Sequence, residues 1–146
     1  LSLSDGFCVD RHRSEFLALI RSGIGILFAN EGEIKSLYET QSFDDAVNFA
    51  RRDTKLAVLT RSAKGSLIMS GGETIAIAAE PIKNVVDTTG AGDLYAAGFL
   101  FGQSRGLPLE VSGKIASLAA AEIISHIGAR PAVALHKLAA ERGLIS

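Results

Sequence analysis

Cysteine occurs once in the 146 residues, at Cys8, and tryptophan does not occur. One cysteine excludes an internal disulfide and a multi-cysteine zinc site, and it fits a reducing, cytoplasmic compartment. Charge of one sign is also missing. The 15 Lys and Arg nearly balance the 16 Asp and Glu, for a net charge of −1. Without a basic run, that balance argues against a nucleic-acid or anionic-membrane partner. Arg11-His12-Arg13 and Arg51-Arg52 stand isolated and read as solvated helix faces. No apolar run approaches the roughly 18 residues of a membrane span. The longest, Ile115 to Ile124, is broken by Ser117 and Glu122. No secretory signal pattern is visible. His12, His126 and His136 are scattered, with no metal-ligand spacing among them. The chain opens Leu1-Ser2-Leu3, and its single methionine is Met69. An initiator methionine is seldom removed before a bulky leucine, so the expectation is a piece of a longer protein.

What is present is an ordinary globular composition, with 47% hydrophobic and 21% charged residues. The length suits one domain with a real core. Leu1 to Ser4 alternates weakly and predicts a short strand. Asp10 is expected to cap a helix carrying Phe16, Leu17, Leu19 and Ile20, stopped near Gly23. Ile24 to Ala29 and Lys55 to Thr60 read as buried strands. Between them Asn30 opens a helix to about Tyr38, and Ser42 opens another. Leu67 to Met69, a Ser-Gly-Gly-Glu turn and Thr74 to Ala78 predict a hairpin. Asn84 to Val86 reads as a short extended piece. Helices follow from about Ala91 to Ser104, from Pro108 to about Ser125, and over roughly Val133 to Arg142. Tyr95 and Phe99, four residues apart, are expected to pack on one helix face. Strands alternating with helices give an α/β fold, three-layered α/β/α, with a mostly parallel sheet and an antiparallel edge hairpin.

The chemistry concentrates in Asp87-Thr88-Thr89-Gly90-Ala91-Gly92-Asp93. A strand end precedes a loop with two glycines one residue apart, and a helix follows at once. Glycine lets backbone take positive φ and approach a ligand closely. A helix N-terminus offers unpaired N–H groups and about half a positive charge, the usual seat of a phosphate. An acid in the first turn, Asp93, would repel that phosphate unless it serves as a general base for an attacking hydroxyl. The competing account is a tight turn followed by an acid that the helix dipole favours. A P-loop is excluded, because no Lys stands here. A dinucleotide fingerprint is excluded by Tyr95, where a small residue is needed.

The run from Asp87 to Phe99 resembles the C-terminal signature of the ribokinase-like (PfkB) carbohydrate and nucleoside kinases. Asn30-Glu31-Gly32-Glu33 is similar to that family's Asn-x-x-Glu motif. Thr60 to Gly65 resembles its nucleotide loop, with Ser62 where the family has a glycine. Gly128-Ala129-Arg130-Pro131 resembles its Gly-Ala-x-Pro segment. The wording is closest to the adenosine-kinase-like and sugar-kinase branches.

The resemblance implies ATP, Mg²⁺ and a monovalent cation such as K⁺, a sugar or nucleoside as acceptor, and a homodimeric full-length parent. Asp93 would be the base, with Gly90, Ala91 and Gly92 as the anion hole. Asn30 and Glu33 would organise Mg²⁺ and phosphates through water. Thr60, Lys64, Gly65, Ser117 and Ala120 would line the nucleotide. Carbonyls near Asp87, Thr89 and Gly128 would hold the monovalent cation. It also implies that residues 1–146 are the C-terminal, nucleotide-binding portion of a single domain, lacking the N-terminal half and lid, and inactive alone. Two structural readings stand beside these. Asn30 with Glu33 has the spacing of a capping box, and the Ala-rich helix is suited to close packing. The rival function is a non-catalytic nucleotide-binding or assembly module that keeps the fold.

Overall fold

The computed structural model describes residues 1–146. Its contacts divide the chain into two compact units, residues 1–62 with 66–76, and residues 63–65 with 77–146.

The first unit opens with helix α1, Gly6–Arg11, and helix α2, Arg13–Arg21. Asp5 caps α1, accepting from the Cys8 N–H at 2.8 Å. Helix α2, which carries Phe16 to Ile20, has His12 at its N-cap and no side-chain cap, so Asp10 does not cap it. Asp10 instead pairs with Arg13 at 3.0 Å, across the break between the two helices. Strand β1, Leu27–Asn30, leads into helix α3, Glu31–Leu37. Helix α4, Phe43–Asp53, starts at Ser42, whose hydroxyl accepts from the Asp45 N–H at 3.1 Å. Strands β2, Leu56–Thr60, β3, Ser66–Ser70, and β4, Glu73–Ile77, complete a sheet ordered β1-β2-β3-β4.

The sheet is mixed. β1 and β2 run parallel, pairing Leu27 with Ala57 and Asn30 with Thr60. β2 and β3 run antiparallel, pairing Thr60 with Ser66. The expected first strand survives as a single parallel bridge between Ser2 and Phe28. Leu3, Val9, Ile20, Leu27, Ile34, Leu37 and Leu59 build the core of this unit. Its strands are apolar enough to be covered by helices, and α3 contacts both β1 and β2.

The second unit is helical. Helix α5 spans Ala91–Ser104, α6 Leu109–Ile123 and α7 Leu135–Glu141. Glycines let α5 and α6 approach closely. A Cβ on Gly98 would stand 2.8 Å from the Ala116 Cα, and one on Gly102 2.8 Å from the Ser112 Cα. Tyr95 and Phe99 are buried, as their spacing predicts. Asn84 to Val86 does not join the sheet, and the Val86 N–H donates to the Ile124 carbonyl at 2.8 Å. No helix is long and apolar enough to cross a membrane.

Candidate functional site

In the first unit, parallel pairing sets Asn30 and Thr60 side by side at the C-terminal ends of their strands. Asn30 then caps α3. Its side-chain oxygen accepts from the Glu33 N–H at 2.8 Å, and the Asn30 N–H donates to Glu33 Oε2 at 2.8 Å. Asn30 Nδ2 donates to Glu33 Oε1 at 2.7 Å. The capping box is therefore complete, and both carboxylate oxygens are engaged inside it. Burial pushes the Glu33 carboxyl up from its usual value, against the lowering effect of the Asn30 N–H, and Asp5 adds to the rise. Glu31, half-buried in the same turn, pairs with Arg61 at 3.2 Å, and the Arg61 guanidinium lies 4.1 Å from the Phe43 ring centre.

Ser62, where the resembled family has glycine, takes φ +51°, the left-handed region that favours glycine. In the second unit, Lys64 ends a single 3-10 turn, exposed, and Gly65 follows at φ +81°. A Cβ there would collide with the Ile77 carbonyl oxygen and stand 3.0 Å from the Ala79 nitrogen. Close backbone packing thus requires that glycine.

The loop before α5 is organised by Asp87. Its carboxylate accepts from the Thr89 N–H at 2.9 Å and from the Gly128 N–H at 3.1 Å. A side-chain hydrogen bond with Thr89, and then the Thr89 and Gly128 N–H bonds, hold the Asp87 carboxyl below the usual range. Asp87, Thr89 and Gly128 are therefore brought together, though they lie up to 41 residues apart in sequence.

Gly90 caps α5 at φ +80°, with no side-chain cap. The Ala91 N–H already donates to the Thr88 carbonyl at 3.2 Å, so it is engaged within the loop. The Gly90, Gly92 and Asp93 N–H groups have no partner. Gly92 lies inside the helix without positive φ, and a Cβ there meets nothing within 4 Å. Asp93 is exposed in the first turn and makes no hydrogen bond or ion pair. An acid without a partner beside uncapped donors can accept a proton from a hydroxyl that approaches a bound anion.

Ser117 is buried on α6. Its hydroxyl accepts from the Glu80 N–H at 2.9 Å and donates to the Ala78 carbonyl at 3.2 Å. It anchors the segment after β4 to the helix. Ala120, three residues on, is partly exposed. The second unit also contains two groups to which sequence reasoning gave no site role, Glu122 and His126, which stand 3.1 Å apart. The one available signal was Glu122 itself, an acid interrupting the longest apolar run. No group of three or more His, Cys, Asp or Glu side chains is gathered that could hold a metal ion.

A family model for the pfkB family carbohydrate kinases matches residues 5–135, and the chain belongs to that family. The cytidine kinase of Thermococcus kodakarensis is 36% identical over 119 residues, covering 80% of this chain and 42% of that protein. Among solved structures, a probable sugar kinase from Rhizobium etli superposes with a TM-score of 0.97 at 50% identity, over 99% of this chain and 44% of that one. An adenosine kinase from Sinorhizobium meliloti gives 0.94 at 51% identity, over 97% and 43%. An Arabidopsis thaliana ribokinase complexed with ribose and ATP gives 0.71 at 32% identity, over 77% and 38%. The fold is thus the ribokinase fold in part. The chain spans less than half the length of each of these proteins.

Proposed function

We propose that the protein containing this chain transfers the γ-phosphoryl group of ATP to a hydroxyl of a sugar or nucleoside. Asp93 takes the proton of the attacking hydroxyl. The hydroxyl oxygen bonds to the γ-phosphorus as the bond to the β-phosphate oxygen breaks, and ADP leaves. The Gly90-Ala91-Gly92 turn forms the anion hole, with the Gly90 and Gly92 N–H groups as its open donors. The observation that carries this reading is the partnerless Asp93 carboxylate beside those donors at the start of α5. Most of the rate enhancement would come from alignment and charge stabilisation. The relatives' names support both kinds of acceptor, since the two solved structures near 50% identity are called a sugar kinase and an adenosine kinase.

Mg²⁺, when bound, neutralises charge on the phosphates. The Glu33 carboxylate is 7% exposed and has both oxygens occupied by Asn30, so it suits a water-mediated role and not direct ligation. Thr60, Lys64, Gly65, Ser117 and Ala120 line the nucleotide in this reading. Ser117 does so through the backbone segment it anchors. Backbone carbonyls near Asp87, Thr89 and Gly128 hold a monovalent cation such as K⁺. The support is the Asp87 carboxylate, which draws the two backbone segments together. The parent is proposed to be a cytoplasmic homodimer.

The test is an assay of ADP formation with ATP, Mg²⁺ and a panel of sugars and nucleosides. The complete chain should show acceptor-dependent ADP release, and residues 1–146 alone should show none. Release by neither, with tight nucleotide binding retained, would favour a non-catalytic nucleotide-binding module.

A further inference from the structure

Glu122 lies in the last turn of α6, where a carboxylate faces the negative end of the helix dipole. Its side chain is only 8% exposed, and Oε2 is buried without a hydrogen-bond partner. Each of these features disfavours an acid at this position. The other oxygen is heavily used. Oε1 accepts from the Ala132 N–H at 2.8 Å and stands 3.1 Å from His126 Nε2. His126 and Ala132 are the two ends of the loop that carries Gly128 and Ala129. Gly128 is tied to Asp87, and Ala129 lies where a Cβ on Gly90 would meet it at 3.2 Å. One carboxylate oxygen thus fixes both ends of the segment whose middle supports the turn that opens α5.

We propose that Glu122 is a positioning residue for the anion-binding turn: it clamps residues 126–132 so that Gly128 and Ala129 hold the Asp87–Gly90 backbone in its phosphate-accepting shape. The inference rests on the reading of Gly90–Asp93 as the phosphoryl-transfer site. Glu122 touches no substrate. It acts through two backbone segments, and a small displacement of such a turn costs rate more than affinity.

The experiment uses the complete kinase chain that carries these residues and compares Glu122→Ala with Glu122→Gln. Glutamine keeps an acceptor for the Ala132 N–H, and alanine does not. For Glu122→Ala the expected result is a fall in kcat of ~10–10² with acceptor KM nearly unchanged, and faster amide exchange at Gly128 and Ala132. Glu122→Gln should restore most of both. Ile115→Val, a core truncation elsewhere on α6, should lower Tm without altering kcat or Gly128 exchange. Unchanged Gly128 exchange and kcat in Glu122→Ala would overturn the proposal. So would a loss that Ile115→Val reproduces, since that marks a purely structural role. If Glu122→Ala does not fold, His126→Ala removes one of the two held groups, and Gly128 exchange must still accelerate for the proposal to stand. A wild-type chain that phosphorylates no sugar or nucleoside would defeat the functional reading, while the exchange measurements would still judge the clamp.

Discussion

Gly90 backs onto Ala129: a Cβ built on Gly90 would stand 3.2 Å from the Ala129 Cβ, at a φ of +80°. Two residues on, Gly92 has open space where its Cβ would be. The two glycines of one motif therefore serve different purposes. Gly90 is required by the chain's own backbone, whereas any requirement at Gly92 comes from a ligand.

That difference is measurable. Gly90→Ala should destabilise the protein by about 1–2 kcal/mol, from left-handed backbone strain and crowding of Ala129. Gly92→Val should leave Tm within a few degrees and abolish phosphoryl transfer, because the side chain fills the anion's position. Thermal melts and turnover, measured together on both variants, check it. An unfolded Gly92→Val chain would make that glycine structural and remove its support for the anion hole.

Asp93→Asn should bind nucleotide nearly as the wild type does but turn over ~10²–10⁴ more slowly, the usual worth of a general base. Stability should hardly change, since Asp93 is exposed and makes no hydrogen bond or ion pair. Nucleotide titration and steady-state turnover on the complete chain are the measurements. Near-normal turnover would end the assignment.

Glu33 should leave a signature in the pH dependence of stability. Burial raises its carboxyl pKa in the folded chain above the ordinary value. Between those two values the folded state binds more protons than the unfolded state, so stability falls as pH rises through that window. Glu33→Gln retains an N3 acceptor for the Asn30 N–H and does not titrate. Denaturant melts from about pH 4 to 7 should show wild-type stability declining relative to Glu33→Gln as pH rises. A difference that grows in the opposite direction would mean that the Asn30 hydrogen bonds outweigh burial.

The loop after β2 offers a paired test of backbone conformation. Ser62→Gly should stabilise by up to about 1 kcal/mol, because the serine already occupies left-handed backbone at φ +51°. Gly65→Ala should destabilise by more than about 2 kcal/mol, because its Cβ would overlap the Ile77 carbonyl oxygen. Chemical denaturation of the two variants separates the effects, and an equal response would refute the assignment.

Much of this protein was legible in the order of its residues. The β1–α3 junction, the Ser42 cap, the β3–β4 hairpin and the start of α5 follow from local chemistry: caps, turn glycines and apolar runs that need no distant partner. Asn30 and Glu33 were legible as a capping box and as a family motif, and the box is what their atoms form. Where the sequence misled, a local signal had more than one outlet. Asp10 looked like the cap of the helix that carries Phe16 to Ile20, but that helix begins at Arg13 with His12 at its N-cap, and Asp10 pairs with Arg13 instead. Both glycines of the Gly90-Ala91-Gly92 turn were read as free to take positive φ, but only Gly90 does, while Gly92 lies inside α5.

Tertiary structure alone decided what joins residues far apart in the chain. Asp87 meeting Gly128, Glu122 holding Ala132 and Gly98 lying against Ala116 all depend on how α5, α6 and the loops around them come together. Sequence fixes which groups can donate, accept or fit closely, because those properties belong to single residues. It does not reveal which of many equivalent N–H groups a carboxylate will reach, because that depends on distances set by packing.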